Sequence, residues 1–202
     1  MVLPRSGEPS TASAPAPLGA DDLAALLRLA RAAVEASVRR EPGQAPDPRE
    51  LPPAVLGPAA AFVTLHEHGI LRGCMGQLDW DRAAWENVMR AGGIVARDDP
   101  RFMPVTPEEM PAIRLEVSVL APPVELADAS GFVAGRDGII VQRGGRRALL
   151  LPQVAEELGW DSAAMLDAVC EKAGLARDAW RWPGTRLFAF RAVRASEAGF
   201  AG

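Results

Sequence analysis

The sequence predicts an α+β fold, an antiparallel sheet built from hairpins with flanking helices. Three observations predict it. Segments 61–78 and 139–151 each read as two strands folded about a glycine-containing turn. Residues 113–120 alternate between apolar and polar side chains, the signature of a strand with one buried face. The helical segments lie between these units without the strict strand–helix–strand rhythm that a parallel sheet needs.

The elements follow in order. Residues 1–19 are rich in Pro, Ala and Ser and are expected to form a disordered tail, leaving one domain over 20–197. Leu23, Leu26, Leu27, Ala30, Val34 and Val38 repeat at helical spacing, which predicts a helix over about 21–40 that Asp21 or Asp22 can cap. Six prolines make 41–58 a loop. A second helix is expected over 82–97, with Trp85, Val88, Met89 and Val95 toward the core. Gly92-Gly93 inside it costs roughly 1 kcal/mol per glycine against alanine, so a close packing contact or a break is expected there.

Asp99-Pro100-Arg101-Phe102 ends this helix, and Thr106-Pro107-Glu108-Glu109 has the pattern of a capping box opening a short helical turn. In strand 113–120, Ile113, Leu115, Val117 and Val119 should face the core and Arg114, Glu116 and Ser118 should face away. Residues 121–136 are irregular after Pro122-Pro123. Strands 139–143 and 146–151 meet at Gly144-Gly145, a pair suited to a primed turn. A helix starting at Pro152 stops at Gly159, another over 162–173 is capped by Asp161 and closed by Gly174, and a last strand runs over 186–194.

The first hairpin has two simple registers. A two-residue turn at His68-Gly69 pairs Val63 with Cys74 and Leu65 with Arg72, mixing apolar and polar residues on one face. A three-residue loop, Glu67-His68-Gly69, pairs Phe62 with Cys74, Thr64 with Arg72 and His66 with Ile70. It gathers Ala61, Val63, Leu65, Leu71, Gly73 and Met75 on an apolar face, and Thr64, His66, Arg72 and Cys74 on the other. The three-residue loop is the expected register, because a one-residue slip exchanges the faces.

Composition narrows the function classes. The chain has 202 residues, 49% hydrophobic, with net charge −4 and pI about 5.3. A basic excess suited to nucleic acid is absent. No apolar run approaches the ~20 residues of a membrane span, and the first residues lack the apolar core of a secretory signal. Cys74 and Cys170 are the only cysteines, too few for a disulfide framework or a four-cysteine cluster. A cytoplasmic protein that binds neither nucleic acid nor membrane is expected.

Leu71-Arg72-Gly73-Cys74-Met75-Gly76 is the densest chemical feature. Glycine in a strand marks a bulge or a close backbone approach, and a neighbouring cation favours thiolate over thiol. Cys74 thus reads as a nucleophile beside Arg72 or as a small packed thiol. His66 reads as its general base or as an exposed histidine near a turn. His66, His68 and Cys74 are metal ligands by type but lack a fourth member, so neither metal nor cofactor is expected. Arg101 can grip an anion or pair with Asp99 or Glu116. Glu116 can orient Arg72, act as a base or simply be solvated. Gln153 and Glu156 can line a site or cap a helix. Gly135–Gly138 reads as a turn, and Cys170 as core.

LRGCMG preceded by FVTLHEHG, together with residues 96–120, 135–161 and the terminal RLFAFRA, resembles the AMMECR domain family, also called AmmeMemoRadiSam system protein A. The resemblance spans about 23–195. It implies two sub-domains with the LRGC segment at the cleft between them. Cys74 and Arg72 match the LRGC positions, Asp99, Arg101 and Phe102 the DPRF block, and Gln153 the LPQVA block. It implies genomic company with a Memo-like protein and a radical SAM protein, which become candidate partners. No reaction comes with it.

Two functions fit these residues. One is a cysteine-dependent enzyme or enzyme subunit acting on a small anionic substrate. Cys74 would be the nucleophile, Arg72 its activator and His66 or Glu116 the base. Arg101 and Gln153 would bind substrate, and the backbone at Gly73 and Gly76 would stabilise an oxyanion. The other is a non-catalytic binding or adaptor module that works with the Memo-like and radical SAM proteins, with Arg72 and Arg101 as anchors.

Overall fold

The computed structural model describes residues 18–198. The predicted tail lies outside the described residues as far as residue 17; Leu18 packs on the core and Gly19 caps the first helix. Four helices and eight strands follow: α1 (Ala20–Arg39), β1 (Ala60–Glu67), β2 (Ile70–Gln77), α2 (Ala84–Val95), β3 (Ile113–Leu120), β4 (Val124–Glu125), β5 (Gly138–Arg143), β6 (Arg146–Leu150), α3 (Gln153–Leu158), α4 (Ser162–Lys172), β7 (Arg186–Phe190) and β8 (Ala192–Ser196). They form an α+β fold with two antiparallel four-stranded sheets, ordered β2-β1-β3-β8 and β4-β7-β5-β6.

The layers run helix, sheet, sheet, helix. On the outer face of the first sheet, Leu26, Ala30 and Val34 of α1 and Val88, Ala91 and Val95 of α2 pack with Val63, Leu65, Leu115 and Val117. Gly92 makes this possible: a β-carbon there would lie 3.0 Å from Ala33 Cβ and 3.1 Å from the Ala30 carbonyl. On the outer face of the second sheet, Met165, Leu166, Val169 and Cys170 of α4 pack with Ile139, Val141 and Leu187. The inner faces meet through a smaller cluster of Ala60, Phe62 and Leu120 with Ile140, Leu149, Phe188 and Phe190. Trp80 completes it, its ring centroid 6.2 Å from that of Phe190.

The first hairpin departs from both simple registers. Its turn is the two-residue His68-Gly69, with φ of 50° and 80°, and Glu67 pairs with Ile70. Positive φ at both positions gives the primed twist that suits a hairpin. The register then shifts, because His66 pairs with Leu71 and Leu65 with Gly73, leaving Arg72 as the extra residue of a bulge. Beyond it Thr64 pairs with Cys74. The bulge restores the face parity that the tighter turn had reversed. Ala61, Val63, Leu65, Gly73 and Met75 therefore do face the helices, whereas Leu71 is turned out to solvent.

Three further expectations are corrected. Strand 186–194 is two strands that break at Arg191, where the chain passes from the second sheet to the first. The Ala121 N–H donates to the Arg191 carbonyl at 2.9 Å, tying this crossing to the one between β3 and β4. Residues 107–112 form turns rather than a helix, although Glu109 does cap the Thr106 N–H at 2.6 Å. Glu116 and Ser118 are buried where solvation was expected: β8 pairs alongside both, and Ser196 and Arg194 approach the Glu116 carboxylate.

Candidate functional site

Cys74 opens into a cleft of about 440 Å³ lined by both sheets. Phe62, Cys74, Leu78 and Trp80 come from the first half of the chain, and Arg147, Leu149, Leu151, Val154 and Lys172 from the second. The volume lies within the ordinary range of small-molecule sites, roughly 300–1,000 Å³. A second hollow of about 260 Å³, beside Leu18, Pro58, Val119 and Val193, is almost wholly apolar and offers only Arg191 as a charged group. Arg191 is engaged with Asp137 at 2.9 Å. The chemistry is concentrated in the cleft.

The Cys74 backbone lies on the outer edge of its sheet, where an unpaired strand would show bare N–H and C=O groups. Asp99 and Arg101 cover them. The Cys74 N–H donates to Asp99 Oδ2 at 2.9 Å, and Arg101 Nη2 donates to the Cys74 carbonyl at 3.2 Å. Arg101 also grips both Asp99 oxygens, at 3.0 and 2.7 Å. The Arg101 guanidinium, and after it the Cys74 N–H, hold the buried Asp99 carboxyl far below the usual carboxylate range, although burial acts the other way. Asp99 in turn raises Arg101. The Asp99-Pro100-Arg101 turn thus serves as an artificial strand partner for the LRGC segment, and Arg101 pairs with Asp99 rather than with Glu116.

Across the sheet, Cys74 and Thr64 form the pair whose backbone bonds point away from each other, which brings side chains closest. Thr64 Oγ1 donates to Cys74 Sγ at 3.3 Å. The row continues through Glu116 on β3 to Ser196 on β8. Glu116 Oε2 accepts from Ser196 Oγ at 2.9 Å and lies 3.9 Å from Arg194. Glu116 is therefore one strand removed from the thiol, with Thr64 between them, and its carboxylate is engaged on the far side.

Arg72 is not brought to the thiol. The bulge directs it to the loop at 103–109, where Nε donates to Glu109 at 2.8 Å and Nη1 to the Met103 carbonyl at 2.8 Å. Burial pushes the Glu109 carboxyl up, but Arg72 and the Thr106 N–H more than reverse this and leave it below its ordinary value. Arg72 is a staple between the hairpin and this loop. His66 shares the face of Thr64 but lines a different hollow, with His68, Pro111, Ala112 and Arg114.

The two glycines face filled space. A β-carbon at Gly73 would meet the Val95 carbonyl at 3.0 Å, so Gly73 admits the end of α2. At Gly76 it would fall within the Phe62 ring, which covers the glycine from the paired position on β1. Gly138 accommodates Phe190 in the same way on the second sheet. Gln153 opens α3 next to Val154 but is not among the residues lining the cleft. Cys170 is fully buried on the inner face of α4, and burial pushes its thiol up.

Arg147 and Lys172 were not singled out from the sequence. Arg147 is half-buried on β6, its guanidinium lowered by burial alone. Among the described residues neither side chain has an ion pair or hydrogen bond. A signal was present in Arg147-Ala148-Leu149-Leu150-Leu151, where period-two alternation sets one arginine on the face of two leucines. Among the described residues no cluster of three or more His, Cys, Asp or Glu could hold a metal, and no helix is long and apolar enough to cross a membrane.

Comparison with known proteins agrees with this architecture. A protein of Methanothermobacter thermautotrophicus is 42% identical over 184 residues, covering 88% of this chain and 95% of its own. Protein PF1979 of Pyrococcus furiosus is 41% identical over 178 residues, covering 83% of this chain and 84% of its own. The crystal structure of the uncharacterized protein PH0010 from Pyrococcus horikoshii superposes with a TM-score of 0.80 at 37% identity, covering 88% of this chain and 92% of that one. The AMMECR1 family model matches residues 27–195, and the chain belongs to the AMMECR1 family.

Proposed function

We propose that the cleft between the sheets is a binding site for a small anionic molecule, with Cys74 presented to the bound ligand. The observation that carries this is the meeting in a single apolar cleft of a thiol from the first sheet with Arg147 of β6 and Lys172 of α4, two cations without partners among the described residues. Binding without catalysis is the better-supported form. The two candidate bases lie away from the thiol: Glu116 is engaged by Ser196 and Arg194, and His66 lines another hollow. The domain then holds a ligand on which a partner acts, and the Memo-like and radical SAM proteins implied by the family resemblance are the partners to try first. The bond from Thr64 to Cys74 Sγ favours a second form, in which Cys74 attacks the ligand.

A thermal-shift screen of small organic acids on the Cys170→Ser protein tests the proposal. Acids that raise the melting temperature should also protect Cys74 from iodoacetamide. Stabilisation by acids with no protection of Cys74 would place the binding site elsewhere and overturn it. Conversion of a protecting acid, lost in Cys74→Ser, would select the catalytic form.

A further inference from the structure

We infer that Arg147 is the anchor for the ligand's charged group, and that the ligand is an organic acid with a flat apolar body. This rests on the reading of the cleft as a binding site and names the chemistry it selects. The arginines of the LRGC and DPRF segments are both engaged, Arg72 by Glu109 and Arg101 by Asp99. Of the two cations that line the cleft without a partner among the described residues, Arg147 is half-buried and Lys172 is exposed. A half-buried guanidinium without an acid is unfavourable to keep, because burial penalises the charged form. A bound carboxylate, sulfonate or phosphate would supply the missing charge through the planar fork.

The rest of the wall sets the body of the ligand. Phe62 and Trp80 stand on the side of the first sheet, and Leu149, Leu151 and Val154 on the other. Phe62 is fixed over Gly76, and Trp80 is held against Phe190, so both rings are positioned before a ligand arrives. Rigid aromatic walls favour a flat apolar group and lose little entropy on binding. Lys172, which is exposed, lines the same cleft and adds positive charge to it. Small hydrophilic anions such as inorganic phosphate would leave these apolar walls unfilled.

Anilinonaphthalene sulfonate, an anionic flat probe, and phenyl-naphthylamine, its neutral counterpart, test the inference in the Cys170→Ser protein. The anionic probe should bind more tightly, quench Trp fluorescence and protect Cys74 from iodoacetamide. Arg147→Gln should weaken the anionic probe by about tenfold and leave the neutral one unchanged, and Arg147→Lys should recover part of the loss. Equal binding of the two probes, or equal loss of both in Arg147→Gln, would overturn the role of Arg147 while keeping the cleft. Failure of both probes to protect Cys74 would overturn the cleft as a binding site, and this inference with it. Inorganic phosphate competing as well as the sulfonate would overturn the apolar part of the claim.

Discussion

Asp99 and Cys74 are joined across the open edge of β2, the carboxylate accepting the cysteine's backbone N–H at 2.9 Å. One buried acid therefore fixes the strand from which the thiol projects. Arg101, with a side chain 54% exposed, keeps that acid ionised from the solvent side. The LRGC and DPRF segments are one device, and the thiol's direction depends on both.

Acid should loosen this device. The folded Asp99 carboxyl is depressed, so its contribution is fully present above the unfolded value of about 4 and is lost as pH falls through the folded one. Glu109, also depressed, acts in the same sense. Asp99→Asn should cost about 2 kcal/mol at neutral pH, as expected for hydrogen bonds to a charged group. It should also flatten the decline in stability below about pH 4. Urea melts of both proteins at pH 7 and pH 3.5 would show this, and an unchanged decline in the variant would refute it.

Arg72→Ala should act on the loop and not on the thiol. Loss of the bonds to Glu109 and Met103 should destabilise the protein by about 1–3 kcal/mol and expose the 103–109 segment to protease. The rate of Cys74 alkylation in the folded protein should stay within about twofold, because the Arg72 charge is neutralised by Glu109. A large fall in that rate would return Arg72 to the role of thiol activator.

Arg147→Met should make the protein more stable while weakening its ligand binding. Replacing a half-buried charge that has no partner among the described residues with an apolar side chain should gain roughly 1 kcal/mol, or about 2–4 °C in melting temperature. Calorimetry would measure it. A fall in melting temperature would mean that the guanidinium is structurally engaged.

Gly76→Ala should force the Phe62 ring from its place, at a cost of about 1–3 kcal/mol. Adding Phe62→Leu should recover part of this, since the two positions are directly paired. Denaturant melts of the single and double variants would show the coupling. Additive losses would mean that the ring and the glycine do not compete for the same space.

Much of this was legible in the sequence because local patterns determine it. The α+β class, the strand 113–120, the Gly144-Gly145 turn and the Asp161 cap all follow from period, turn and cap chemistry. The register of the first hairpin was not, because it contains a bulge whose extra residue, Arg72, bonds to a loop more than thirty residues away. Gly73 and Gly76 did signal close approach, but the approaching groups are α2 and Phe62 rather than a substrate. The break at Arg191 was hidden because no glycine or proline separates the two strands. Arg147 was readable from its alternation with Leu149 and Leu151, but its lack of a partner among the described residues required the tertiary structure.

The most direct test compares alkylation of Cys74 by iodoacetate and by iodoacetamide in the Cys170→Ser protein. The two reagents differ chiefly in charge. A cleft that joins Cys74 to Arg147 predicts that the anionic reagent gains on the neutral one relative to an unfolded control, and that Arg147→Gln abolishes the gain without slowing iodoacetamide. No preference for the anion, or no reaction with either reagent until the protein unfolds, would contradict the account.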